Sequence, residues 1–209
     1  KNISLLIVDG YQFHGNWLRD VRIGGCRIML WTDYLQDVSL PVDIILDQTP
    51  AANAADYRAI CPHGIILAGL NYAVLRDEFL HATEFRHRRT QVEKILVTMG
   101  GSDPNNDTLK VLESIRQLKG DFSLNVVVGA ANNYADEIVQ AAELLDSCVV
   151  YQSVNDMSEL IARSDLAISA GGTTLWEFAY SGLPTLIIAV ADNQLSLAKS
   201  VAHSGGGIF

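Results

Sequence analysis

The sequence predicts an α/β protein whose parallel sheets carry helices on both faces. Three observations predict it. Short runs rich in Val, Ile and Leu recur without polar alternation, as strands covered on both sides require. From residue 93 onward helical patterns separate these runs, and such alternation builds parallel sheets. The 209 residues are 49% hydrophobic and 19% charged, which is enough apolar material to offset the entropy of ordering. That length suits one large domain or two small ones.

The expected strands of the second half are 94–99, 124–128, 148–151, 166–169 and 184–189. The expected helices are 107–118, 134–145, 157–163, 175–180 and 195–202. In the first of these helices, Leu109, Leu112, Ile115 and Arg116 share a face, while Lys110, Glu113 and Lys119 lie elsewhere. The first part is α/β but less regular, with strands expected at 3–8, 26–31, 42–46 and 65–67. Around 51–57 the pattern weakens. Residues 81–93 contain Arg86-His87-Arg88-Arg89 with little apolar content and read as an exposed linker between domains 1–80 and 94–209. Lys1 runs almost directly into a strand, and Gly205-Gly206-Gly207-Ile208-Phe209 reads as a loop entering another, so the expectation is the interior of a longer protein.

Composition excludes several classes. A net charge of −9 repels phosphate backbones, so no nucleic-acid partner is expected. No apolar run approaches the ~18 residues of a membrane span. Cys26, Cys61 and Cys148 form no CxxC pair, and no His-Cys-Asp cluster has metal-ligand spacing, so neither a metal nor a cofactor is expected. Reduced thiols fit a cytoplasmic protein. There is no GxSxG elbow for a serine hydrolase. His14 and His63 lie in polar loops and read as surface histidines.

Four segments can carry chemistry. Thr98-Met99-Gly100-Gly101-Ser102-Asp103-Pro104-Asn105-Asn106 links a strand to a helix. Gly-Gly lets a ligand approach the backbone, free amides at the helix start can hold phosphate, and Ser102 adds a hydroxyl. The plainer reading is a βα turn capped by Ser102 or Asp103. Neither GxGxxG nor GxxxxGK[ST] is present. Ser169-Ala170-Gly171-Gly172-Thr173-Thr174-Leu175-Trp176-Glu177 repeats the arrangement after another strand. Two such turns at the carboxyl ends of parallel strands share one edge of the sheet, where open α/β sheets bind ligands. Thr173 and Thr174 can donate to phosphate. Thr174-x-x-Glu177 fits a capping box, or Glu177 accepts from two adjacent ribose hydroxyls, and spacing leaves both open. Ala191-Asp192-Asn193-Gln194 offers amides for sugar hydroxyls or for capping. In Tyr151-Gln152-Ser153-Val154-Asn155-Asp156-Met157 the backbone can pair with a base edge and Met157 can cover a ring face. In the first part, Val8-Asp9-Gly10-Tyr11 puts Asp9 and Tyr11 at a sheet edge, where Tyr11 lines a cleft or simply packs.

Taken in order, these segments and the tract Ile66-Leu67-Ala68-Gly69-Leu70-Asn71-Tyr72-Ala73-Val74-Leu75-Arg76-Asp77-Glu78-Phe79 resemble the UDP-sugar hydrolases of pseudaminic acid biosynthesis. Relatives of that family include spore-coat polysaccharide proteins and the transferase that adds N-acetylglucosamine to the peptidoglycan lipid precursor. Leu75-Arg76-x-Glu78-Phe79 and Gly-Gly-Ser-Asp carry the resemblance most specifically. It implies two Rossmann-like domains of GT-B type, the first incomplete here, with UDP bound by the second. It sets Gly100, Gly101, Ser102, Asp103 and Asn106 toward the ligand. It sets Thr173 and Thr174 beside Gly172 at the diphosphate, Glu177 at the ribose, and Val154, Asp156 and Met157 near the uracil. Asn193 and Gln194 would face the sugar or phosphates, and Tyr11 the sugar from the first domain. The family's early Gly-x-Gly-His-x-x-Arg turn, whose histidine activates water, has no match here, so the general base is expected outside this chain. Other readings are a GT-B glycosyltransferase using a UDP-sugar donor and a noncatalytic nucleotide-sugar-binding module. The second of these would be fused to a cytidylyltransferase or act beside other enzymes of nonulosonic acid synthesis.

Overall fold

The β-branched and leucine-rich runs form strands, and every pairing among them is parallel. The computed structural model describes residues 3–13, 15–22, 25–35, 39–80 and 91–209. The chain divides into two compact units, Lys1–Val74 and Leu75–Phe209. Residues 75–80 therefore go with the second unit. His14 and most of the expected linker, including Arg86-His87-Arg88-Arg89, lie outside the described residues.

The first unit holds a four-stranded sheet in sequential order: β1 (Leu5–Asp9), β2 (Arg27–Trp31), β3 (Ile44–Asp47) and β4 (Ile65–Ala68). Helix α1 (Gly15–Val21) lies between β1 and β2 in sequence, and α2 (Ala54–Ile60) between β3 and β4. Val8, Leu18, Ile28, Leu30, Ile45 and Tyr57 form the centre of its core. Along β1 only one face is covered: Val8 is buried, while Leu5 and Ile7 stay exposed. The weak pattern at 51–57 conceals α2. Asn53 caps that helix by accepting from the Ala55 amide at 2.9 Å, a local bond that apolar periodicity does not reveal. The thiols of Cys26, Cys61 and Cys148 are free, and burial pushes those of Cys61 and Cys148 up from their ordinary value.

The second unit opens with the short helix α3 (Asp77–Leu80), which the sequence pattern does not signal. Five strands follow: β5 (Lys94–Thr98), β6 (Ser123–Val128), β7 (Cys148–Gln152), β8 (Leu166–Ala170) and β9 (Thr185–Ile188). Their order is β7-β6-β5-β8-β9. Between them run α4 (Asp107–Ile115), α5 (Ala135–Ala142), α6 (Ser158–Arg163) and α7 (Thr174–Tyr180), and α8 (Asp192–His203) follows β9. Ile95 to Thr98 of β5 and Ala167 to Ala170 of β8 are all buried, as continuous apolar strands predict. The edge strand β7 departs from that expectation, since Val149 is exposed. Helix α4 turns Thr108, Val111, Leu112 and Ile115 to the core. Its buried stripe thus includes Val111 and excludes Arg116, which is exposed.

Strand order sets where a ligand can enter. From β5 the chain moves outward through β6 to β7, then crosses back to β8 on the other side of β5. The pair β5/β8 is therefore the topological switch point, where neighbouring connections diverge and leave a crevice at the carboxyl ends.

Candidate functional site

Both Gly-Gly turns leave the sheet at this switch point, and they leave it level. Thr98 of β5 pairs with Ser169 of β8, so Gly100 and Gly171 each lie two residues beyond a matched pair. Adjacent strands stand about 4.8 Å apart. The two turns thus lie on one rim, as the sequence predicts, and the strand order makes them neighbours. Gly100 has φ of 82°, a left-handed conformation that a residue with a Cβ adopts only under strain. Beside it Gly101 and Ser102 are exposed. Among the described residues, the amides of Gly101, Ser102, Gly172, Thr173 and Thr174 donate to no protein group.

The remaining loops of the rim brace these turns. After β6, Gly129 packs against the first turn so tightly that a Cβ there would collide with the Gly101 carbonyl oxygen. Ala131 donates its amide to the same oxygen at 3.1 Å. The Gln194 side chain accepts through Oε1 from the amides of Gly171 and Val190, both at 3.1 Å. It therefore ties the second turn to the end of β9.

Several predicted ligand residues have other partners. Asp103 is 1% exposed, and its carboxylate accepts from the Asp107 and Thr108 amides at 2.8 and 2.9 Å. It caps α4 from behind the turn, so the first amides of that helix are occupied rather than open to phosphate. Asn106 has φ of 51° and donates through Nδ2 to Glu137 at 3.1 Å, toward α5. Asp156 caps α6, accepting from the Ser158 amide at 2.9 Å and its hydroxyl at 2.7 Å. Those bonds hold its carboxyl below the ordinary carboxylate range. Met157 is buried and its amide is engaged, which leaves Val154 as the half-buried member of that loop. The backbone of Asn193 falls in the first turn of α8. In the other unit Tyr11 is exposed just beyond β1. Its hydroxyl donates to Asp33 at 2.7 Å, and its ring tilts against Tyr34.

Glu177 settles differently from the capping box. Thr173, at the helix start, makes no side-chain capping bond. Glu177 is 7% exposed, and both of its oxygens accept from Arg76: Nε to Oε1 at 2.7 Å and Nη2 to Oε2 at 2.8 Å. This planar fork on a carboxylate is a strong, orienting arrangement. The carboxylate raises the affinity of the guanidinium for its proton. Arg76 also approaches Glu78 at 3.1 Å, and Glu78 Oε1 accepts from the Met157 amide at 2.9 Å. Periodicity gave no sign of these two residues as part of the site. Their signal was the tract Leu75-Arg76-x-Glu78-Phe79, whose charges sit beside apolar residues without a helical or strand rhythm.

Comparison with known proteins gives the family of the second unit. Residues 94–209, more than half of the chain, match the glycosyltransferase family 28 C-terminal domain. The chain is 30% identical over 145 residues to the spore coat polysaccharide biosynthesis protein SpsG of Bacillus subtilis, covering 68% of this chain and 43% of that protein. It is 30% identical over 118 residues to the pseudaminic acid cytidylyltransferase and UDP-2,4-diacetamido-2,4,6-trideoxy-β-L-altropyranose hydrolase of Helicobacter pylori, covering 56% of this chain and 20% of that one. The chain thus spans less than half the length of these relatives. Among solved structures, MurG of Acinetobacter baumannii superposes with a TM-score of 0.57 at 17% identity, over 97% of this chain and 58% of that one. That likeness shows the fold, the GT-B type with Rossmann-like parallel sheets. Among the described residues, no helix is long and apolar enough to cross a membrane. With a family model matched across the whole five-stranded sheet and its switch-point rim, the chain belongs to the glycosyltransferase family 28 C-terminal domain family.

Proposed function

We propose that this chain is the nucleotide-binding part of a UDP-sugar hydrolase that releases UDP and a free amino sugar in the cytoplasm, for nonulosonic acid and surface polysaccharide synthesis. One observation carries the reading: two Gly-Gly turns stand level on adjacent parallel strands, with five backbone amides unclaimed by the protein among the described residues. Such amides can stabilise charge on a leaving diphosphate without a cationic side chain, and neither turn contains Lys or Arg. Thr173 and Thr174 add hydroxyls beside them. Glu177 keeps lone pairs beyond those given to Arg76, which suits a ribose diol. In the reaction a water oxygen bonds to the anomeric carbon and the bond from that carbon to the diphosphate oxygen breaks. The electron pair leaves with UDP, and a base takes the proton of the water. The similarity to the Helicobacter protein, whose name includes a UDP-sugar hydrolase, supports water as the nucleophile.

The family match favours a second reading, in which a sugar hydroxyl replaces water and the same rim holds the same leaving group. Product analysis decides between them. Free sugar and UDP formed without an acceptor support hydrolysis, and UDP release only with an acceptor supports transfer. For the rim itself, calorimetry is expected to show UDP binding that Glu177→Ala weakens by about 1–3 kcal/mol, the cost of unmade hydrogen bonds to a charged group. Equal affinity in the two proteins removes Glu177 from the site.

A further inference from the structure

Residues 75–80 touch two separate parts of the rim at once. Arg76 grips both oxygens of Glu177 in the first turn of α7. Two residues on, Glu78 accepts the Met157 amide at the end of the β7–α6 loop. The segment is itself anchored, because Phe79 is 1% exposed and the Arg76 guanidinium lies 5.4 Å from the centre of its ring. Arg76 and Glu177 are 101 residues apart, and Glu78 and Met157 are 79 apart, so neither contact follows from local chain geometry.

A carboxylate offers about four lone-pair sites. The Arg76 fork uses one on each oxygen and leaves one on each, matched to two adjacent hydroxyls. Without the fork the carboxylate is free to rotate, and a diol must then order it on binding. The Met157 amide similarly holds the loop 153–157 at a set height against α3. We propose that Arg76 and Glu78 are positioning residues of the nucleotide site: Arg76 orients Glu177 for the ribose, and Glu78 sets the loop that faces the base. This rests on the UDP-binding reading above and extends it to residues that touch no ligand themselves.

The test compares UDP with 2′-deoxy-UDP by calorimetry on the full chain. The wild type is expected to prefer UDP by about tenfold, the value of one hydrogen bond to a charged group. Arg76→Ala should cut that preference below about threefold although Glu177 is still present. Glu177→Ala should do the same, and the double variant should lose nothing more. Arg76→Lys keeps the charge but not the fork, so it should also lose most of the preference. It serves as the test if Arg76→Ala melts early. Glu78→Ala should weaken both nucleotides equally, leaving their ratio unchanged, and Glu78→Gln, which retains an acceptor, should restore binding.

A tenfold preference kept in folded Arg76→Ala or Arg76→Lys, with that preference lost in Glu177→Ala, overturns the role of Arg76 alone. Wild-type affinity for both nucleotides in Glu78→Ala overturns the role of Glu78. No UDP binding by the wild type, or a preference unchanged in Glu177→Ala, overturns the nucleotide reading and the positioning role with it.

Discussion

The turns after β5 and β8 share a Gly-Gly dipeptide and a rim, yet they solve the start of the next helix in opposite ways. After β5, the buried Asp103 reaches back to the Asp107 and Thr108 amides, and Gly129 presses on the turn from the side. The start of α4 is thus capped by the protein itself, while among the described residues the Gly101 and Ser102 amides of the turn stay open. After β8 the helix begins at once with no capping side chain; Gly172 has open space around it, as Gly101 has in the first turn, and Gln194 packs on Gly171 from the side. Glu177, which in a capping box would reach back to the helix start, faces Arg76 instead. Both turns are thus braced from the side, the first by Gly129 and the second by Gln194, and they differ in whether a side chain caps the helix that follows. What decides is whether the acidic side chain that follows the glycines is spent on the helix start, as Asp103 is, or on another side chain, as Glu177 is.

The largest effect expected from this contrast is on stability. Gly129→Ala forces a Cβ into the backbone of the first turn and should cost about 3 kcal/mol in denaturant unfolding. Gly172→Ala, with no atom within 4 Å of its Cβ, should stay within about 0.5 kcal/mol of wild type. Equal losses at the two positions would end the distinction. Next in size is Asp103→Ala, which orphans two helix amides and should cost about 2 kcal/mol in thermal melts. Nucleotide affinity of the folded variant should change by less than about twofold, because the carboxylate stands behind the turn. A large loss of UDP affinity at unchanged stability would return Asp103 to the ligand side.

At the second turn the order reverses. Gly172→Ala should leave melting unchanged but weaken UDP by about tenfold, about 1.4 kcal/mol, since the added methyl occupies space a phosphate needs. Unaltered binding would show that the ligand keeps its distance from this backbone. Smallest is Ser102→Ala at the exposed edge of the first turn. It should weaken UDP by about 0.5–1 kcal/mol in calorimetry, the net value of one neutral hydrogen bond, with no change in unfolding.

Much of the second unit is legible in its sequence. Val, Ile and Leu runs such as Lys94–Thr98 and Leu166–Ala170 can be buried on both faces only in a covered parallel sheet. Strands of that kind put their following turns on one rim. The first unit was harder to read because β1 is covered on one face only and α2 starts from a single asparagine cap. Side-chain roles at short range were also ambiguous, since Asp103, Asp156 and Glu177 can each cap a helix or meet a ligand at the same spacing.

By itself, the chain's residue pattern determined the parallel α/β class, the shared edge of the two glycine turns and the lack of cationic groups within them. These follow from local chemistry: side-chain shape, backbone freedom and the period of apolar residues. Tertiary structure alone decided the strand order that makes β5 and β8 neighbours. It also decided that Asp103 turns inward and that Arg76 meets Glu177 across 101 residues. The reason is physical. A carboxylate takes whichever donors the packed fold brings within hydrogen-bonding reach, and sequence spacing does not state which those are.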